Sequence, residues 1–167
     1  MEKNENSKVR KLVLAALFAS LCCVLTMLGV PSPIGGHIHL GDSAVLLSAF
    51  MLGPLWGAAA AGIGSALANI FLGIPIYAPA TLVIKAAMAF CAAMLMRWLS
   101  AKHIAVALTA SCIAAGLIMI VGYFSYQAIV LGFGLAALAE IPGNIAQALF
   151  GALAGSALYL ALRRVPI

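Results

Sequence analysis

Lys85 is the one basic residue of the chain that lies away from the ends of its apolar runs. It stands six residues past Pro79, roughly 9 Å along a helix that starts there. A lysine near the middle of a membrane helix costs about 2.5–3.5 kcal/mol on insertion scales, so it must face a partner, a cavity or the bundle interior. Two roles stay open for it: a structural ion-pair partner, or a donor lining a ligand pocket. The polar groups able to meet it are Asp42, His37, His39, Asn69, Tyr77, Glu140, Asn144 and Gln147. The last three fall at i, i+4 and i+7, a single stripe on a helix. Apolar walls with a few convergent polar groups describe a small-molecule site. Asp42 and Asn144 also have a plainer reading as capping groups near helix starts. His37-x-His39 with Asp42 has the look of a metal site, but no second cluster completes a coordination shell. Two histidines of a capping loop facing ligand or solvent are the default, and no metal is expected.

Other chemistry is missing from the sequence. It holds no G-x-x-x-x-G-K-[ST] phosphate loop, no H-E-x-x-H, and no Ser/His/Asp set above background. No enzyme activity and no cofactor are expected. Asp42, Lys85 and Glu140 are too few ionisable groups for a self-sufficient ion-driven pump.

The elements that position these residues follow from composition. Of 167 residues, 65% are hydrophobic and 8% charged, with mean hydropathy +1.17. Soluble domains run near half apolar and a quarter charged, and a small soluble fold has no interior large enough to hide this much apolar surface. The net charge of +5 has no basic stripe behind it, so no nucleic-acid partner is expected. The solvent for this chain is the lipid bilayer. Cys22, Cys23, Cys91 and Cys112 sit within apolar runs and read as small buried hydrophobes. Lys8, Arg10 and Lys11 precede an apolar run that has no A-x-A cleavage site, so it is expected to stay as a first helix.

Six spans are predicted, at about 12–30, 42–53, 55–73, 80–98, 103 to 123 or 126, and from Glu140-Ile141-Pro142 to Arg163-Arg164, divided by Pro and Gly clusters. The second is too short to cross untilted, and 124–138 reads as a half-helix or a reentrant segment. All are placed in one membrane domain, residues 1–167, with a polar N-terminal segment at 1–11 and the bundle at about 12–164. Lys3, Lys8, Arg10, Lys11, Arg97, Lys102, Arg163 and Arg164 fall at ends that share one side if the number of spans is even, while loops 31–41, 74–79 and 126–141 carry no Lys or Arg. The positive-inside rule then puts both termini in the cytoplasm. Small residues at four-residue spacing, Gly57-Ala61-Ser65-Asn69 and Gly151-Gly155, suit close helix packing within the bundle. Ala15-x-x-x-Ala19 on the first helix suits either such packing or another membrane subunit.

Four motifs carry a resemblance: Gly41-Asp42-Ser43-Ala44-Val45-Leu46-Leu47, Leu52-Gly53-Pro54-Leu55-Trp56-Gly57, Gly62 through Asn69, and Tyr77-Ala78-Pro79-Ala80-Thr81 through Lys85. Together they resemble the substrate-binding S component of energy-coupling factor (ECF) transporters, in the riboflavin-transporter-like branch. The likeness covers about residues 10–164, is densest over 41–88, and finds looser support in Pro142-Gly143-Asn144 with Gln147. It implies a six-helix protein of the bacterial plasma membrane that captures a vitamin or vitamin precursor on the outer side. It also implies a transmembrane coupling subunit and two cytoplasmic ATPases as partners, with Ala15 and Ala19 against the coupling subunit. The loop Pro31–Gly41 would close over the ligand, and the whole chain would reorient in the bilayer to release it. The family pattern often has an acidic residue where this chain has Asn69. An aromatic content of 8% and the mixture of donors and acceptors suit a small hydroxylated heterocycle: a pyridoxine- or hydroxymethylpyrimidine-like compound, or riboflavin. The competing readings are a metal-handling membrane protein or enzyme built on His37, His39 and Asp42, and a purely structural membrane subunit.

Overall fold

The structure is a computed structural model describing residues 2–32, 37–100 and 103–164. Residues 33–36 of the expected ligand-covering loop, Lys102, and the side chain of Lys3 lie outside the described residues. Six helices run in the expected order: α1 (Glu2–Met27), α2 (Gly41–Leu52), α3 (Pro54–Phe71), α4 (Ala78–Leu99), α5 (Ile104–Ser125) and α6 (Ile141–Leu162). Five helical stretches are long and apolar enough to cross a membrane: Lys8–Met27, Pro54–Phe71, Pro75–Leu99, Ile104–Val130 and Gly134–Leu162.

α2 is the exception. Its 12 residues extend about 18 Å, well short of a bilayer core of about 30 Å. It compensates by being central: Gly41 through Ala49 are all buried, and α1, α3, α4 and α6 pack around it. Its polar residues therefore meet protein, where an unpaired group in lipid would cost several kcal/mol. Ser48, for example, donates back to the Val45 carbonyl at 2.8 Å.

The small residues are the contacts that allow this approach. A Cβ on Gly151 of α6 would stand 2.7 Å from the Asp42 Cβ, and one on Gly64 of α3 would collide with the Ala19 carbonyl of α1. Close backbone contact of this kind replaces the hydrophobic drive that helices lack in lipid.

Two segments depart from expectation. The first apolar run does not stay helical to Val30: α1 ends at Met27, and β1 (Gly29–Pro31) pairs antiparallel with β2 (His37–His39), Val30 opposite Ile38. Pro31 and Pro33 are poor helix residues, and the two short strands satisfy each other's backbone groups instead. The stretch 124–138 is not a separate half-span. α5 continues through a π turn, Tyr126–Val130. Gly132 and Gly134, at φ 73° and 54°, then reverse the chain into a 3₁₀ turn, Gly134–Glu140, that feeds α6. Glycine adopts positive φ without steric cost.

The alternation of helices gathers the β-hairpin, the starts of α2, α4 and α6, and the ends of α1, α3 and α5 at one end of the bundle. Lys8, Arg10, Lys11, Arg97, Arg163 and Arg164 belong to the opposite end.

Candidate functional site

At the hairpin end, a cavity is lined by residues of every helix region except α1 and α2: Asn69, Ile74 and Tyr77 around the α3–α4 turn, Thr81 of α4, Tyr123 and Gln127 of α5 and its π turn, Glu140 at the end of the 3₁₀ turn, and Asn144 and Gln147 of α6. His37 and His39 of β2 complete the lining from above. Its volume is about 30 Å³, room for water but far below the roughly 300–1,000 Å³ of small-molecule pockets.

The hairpin is fastened to α6 along its length. Ser32 Oγ donates to Glu140 Oε1 at 2.6 Å, and the His39 backbone N–H donates to Gln147 Oε1 at 2.9 Å. Between these two bonds Ile38 rests on the bare backbone of Gly143. The other end of Gln147 turns inward, its Nε2 donating to Asp42 Oδ2 at 3.0 Å and approaching Met119 Sδ at 3.2 Å. One amide thus ties the hairpin to the bundle core.

The core it ties to is an ion pair. Lys85 Nζ donates to Asp42 Oδ1, also contacts Met119 Sδ at 3.4 Å, and lies 5.4 Å from the centre of the Tyr123 ring. Lys85 has no exposed surface and Asp42 only 1%. Neither borders the cavity, from which Tyr123 and Gln147 separate them. Asp42 does not cap α2, because its carboxylate is turned toward Lys85. That task falls to His39, whose Nδ1 accepts the Gly41 N–H at 3.1 Å. Asn144 likewise makes no cap; it lies one turn inside α6, facing the cavity.

A second network runs along the opposite wall. Asn69 Nδ2 donates to Thr81 Oγ1 at 2.6 Å, and Thr81 shares a hydrogen bond of 3.0 Å with the Tyr123 hydroxyl. Gln127 Nε2 reaches the Tyr77 hydroxyl at 3.5 Å, and the Tyr126 hydroxyl holds the Ile76 carbonyl. Among the described residues, two polar atoms bordering the cavity, His37 Nε2 and Gln127 Oε1, are buried with no hydrogen-bond partner.

Burial disfavours the charged form of both hairpin histidines. Burial, then the nearby Lys85 charge, push His39 down to about 3 against the pull of Asp42, and its Nδ1 is already occupied as an acceptor. Burial also lowers His37, partly offset by a hydrogen bond to the Met27 backbone. Their rings stack at 6.0 Å. With both Asp42 oxygens engaged by Lys85 and Gln147, no group of three His, Cys, Asp or Glu forms a metal-binding set among the described residues.

Of the residues singled out from the sequence, His37, His39, Asn69, Tyr77, Glu140, Asn144 and Gln147 meet at the cavity, while Asp42 and Lys85 lie behind it. Thr81, Tyr123 and Gln127 were missed as site residues. Their spacing held a signal: Thr81 is i−4 from Lys85, and Tyr123 and Gln127 are four apart where α5 ends. Ala15 is buried against the bundle and Ala19 half-buried; both line an apolar groove of about 550 Å³ between α1 and α3.

Residues 6–164 match the family described as ECF-type riboflavin transporter, S component. The chain is 34% identical over 146 residues to a Pyrococcus woesei protein described as an uncharacterised protein in the gap 3′ region, spanning 85% of this chain and 95% of that one. Among solved structures it is similar to the S-component for biotin from an ECF-type ABC transporter, with TM-score 0.62 and 20% identity over 93% of each chain.

Proposed function

The chain belongs to the ECF-type riboflavin transporter S component family, and on that premise we propose that its closed polar cavity captures a pyridoxine- or hydroxymethylpyrimidine-like compound, or riboflavin, for ATP-driven import. An S component of an ECF-type transporter is what the family match gives; the identity of the vitamin is this proposal's own step. The observation that carries it is the cavity: amides, hydroxyls and neutral imidazoles converge beneath a hairpin fastened to α6 by Glu140 and Gln147. Such a lining offers a heterocycle both donors and acceptors, and Tyr77 and Tyr123 offer ring faces. Entry of a ligand of that size requires the hairpin to lift.

The cation-bearing ends lie opposite the cavity, and by the positive-inside rule this supports cytoplasmic termini and a cavity at the outer face of the cell membrane. The chain carries no ATP-binding loop, so energy comes from a transmembrane coupling subunit with two cytoplasmic ATPases. The α1–α3 groove with Ala15 and Ala19 is the proposed seat for the coupling subunit: it is apolar, and the outer face of α1 leaves Leu12 and Leu17 about 60% exposed.

The test is mass spectrometry of the small molecule that copurifies with the chain, with a visible spectrum to detect a flavin, followed by uptake into proteoliposomes. A vitamin-class ligand and uptake that needs both ATP and the coupling module are expected. Ala19→Leu should lower uptake while leaving binding intact. A purified chain that binds none of the three ligand types would overturn the proposal.

A further inference from the structure

α5 and α6 are sequence neighbours that pack more loosely than α3 with α4 or α4 with α5. They approach at Gly116, where an added Cβ would stand 3.3 Å from the Ala148 Cβ, and again where Cys112 Sγ lies 3.5 Å from Ser156 Oγ. Outward of these contacts the two helices leave an apolar groove of about 640 Å³. Its walls, Ile113 and Leu117 of α5 with Leu149 and Leu153 of α6, are 58–75% exposed. The groove runs from Ala105 to Ile120 along α5, a length of about 22 Å, more than one leaflet of a bilayer core about 30 Å thick. It shares no residue with the polar cavity or with the α1–α3 groove.

One end of the groove is charged. Leu153, Ala157 and Leu160 line it at i, i+4 and i+7, and Arg164 follows at i+11. Arg163 between them keeps helical backbone angles, φ −59° and ψ −15°, so the stripe carries on past the last turn of α6. Both arginines are exposed, and among the described residues neither has an ion-pair partner. An apolar channel that opens on two cations complements an amphiphile with a hydrocarbon chain and an anionic head. Basic sites between membrane helices at the bilayer surface bind acidic phospholipid headgroups in this way, and the guanidinium fork matches phosphate oxygens in pairs. The ammonium of a zwitterionic head would stand against the same arginines.

We infer that the α5–α6 groove holds one chain of an anionic phospholipid from the leaflet at the cation-bearing end, with the lipid phosphate on Arg163 and Arg164. The site is separate from vitamin capture and from the coupling-subunit seat, and stands or falls without them.

Native mass spectrometry of the detergent-purified full chain, titrated with phosphatidylglycerol or with phosphatidylcholine, tests it. One phosphatidylglycerol should bind about tenfold or more tightly than phosphatidylcholine. Arg163→Gln/Arg164→Gln should weaken phosphatidylglycerol about thirtyfold, roughly fivefold for each arginine. Lys8→Gln/Lys11→Gln, an equal loss of charge on α1, should leave it unchanged. Ala157→Phe, which fills the groove from an exposed position, should weaken it about tenfold; Ile113→Trp on the other wall takes its place if that variant does not fold. Equal binding of the two lipids, or phosphatidylglycerol binding unmoved by the arginine pair or by the groove-filling variant, overturns the inference. A dimer of the chain that Ala157→Phe dissociates would put a second copy in the groove and overturn it as well.

Discussion

Lys85→Met tests the claim that the Lys85–Asp42 pair holds the bundle together and does not itself grip ligand. The substitution keeps the length of the side chain, and Lys85 is wholly buried, so packing changes little. What changes is charge: Asp42 retains Gln147 on Oδ2 but loses its partner on Oδ1. Removing one partner of a buried ion pair costs about 3–5 kcal/mol. For a chain of this size that is roughly 6–20 °C of unfolding midpoint, at about 2–4 °C per kcal/mol. Asp42→Asn alone should cost a similar amount, since it strands the ammonium. The double variant Lys85→Met/Asp42→Asn removes both charges, and the amide oxygen it introduces can still accept from Gln147. It should therefore recover to within about 1–2 kcal/mol of the parent. The assay is thermal unfolding in mild detergent, followed by dye labelling of Cys22, which has no exposed surface in the folded state. Additive losses in the double variant would refute the coupling. Because the pair does not border the cavity, the double variant should also bind ligand within about tenfold of the parent. A folded double variant with binding lost entirely would make Lys85 a ligand donor after all.

Two further outcomes follow from the hairpin. His39 has a depressed folded value of about 3 against about 6.5 when unfolded; below pH 6.5 the unfolded chain binds the extra proton, so stability falls as pH drops from 6.5 toward 3. At pH 5 the loss is about 2 kcal/mol, and His39→Asn, which removes the titrating ring facing Lys85, Asp42 and His37, should flatten that slope in the same unfolding assay. Gln147→Leu deletes the acceptor of the His39 N–H and a donor to Asp42, costing about 1–3 kcal/mol; hydrogen exchange at the His39 amide should accelerate about tenfold or more, and an unchanged rate would show that Ser32–Glu140 alone keeps the hairpin seated.

How much of this was legible beforehand divides along physical lines. Hydropathy, with the Pro and Gly clusters between apolar runs, separates the six helices, because lipid forces every span to be a helix, and Lys85 stands out because a lone cation in such a run is costly. Asp42 was visible as a nearby carboxylate, but whether it capped α2 or paired with Lys85 was not: both uses fit the same position. The choice depends on α2 being central and dry, which follows from contacts with four helices and not from its own twelve residues. The hairpin was invisible because strands of three residues have no periodicity to read. Gln127 escaped for a different reason: its four-residue spacing from Tyr123 was readable, but it lies in the stretch 124–138 that the sequence left between half-helix and reentrant segment, whereas α5 runs on through the π turn Tyr126–Val130.

What the bundle does with its few polar residues follows from that arrangement. A lysine exposed to the cavity would favour ligands able to neutralise it. Here the lysine that sequence alone leaves as a candidate ligand donor is committed to an internal partner, and Gln147 carries the pair's rigidity outward to the hairpin. The residues left to meet a ligand are neutral amides, hydroxyls and imidazoles with one carboxylate among them. Hydrogen bonds to neutral groups are each worth only about 0.5–1.5 kcal/mol net, so on the proposed capture reading affinity is expected to come from closing the hairpin over the ligand. On the same reading, Gln147 and Glu140, which fasten the hairpin, and not Lys85, are where a change is expected to alter ligand exchange most.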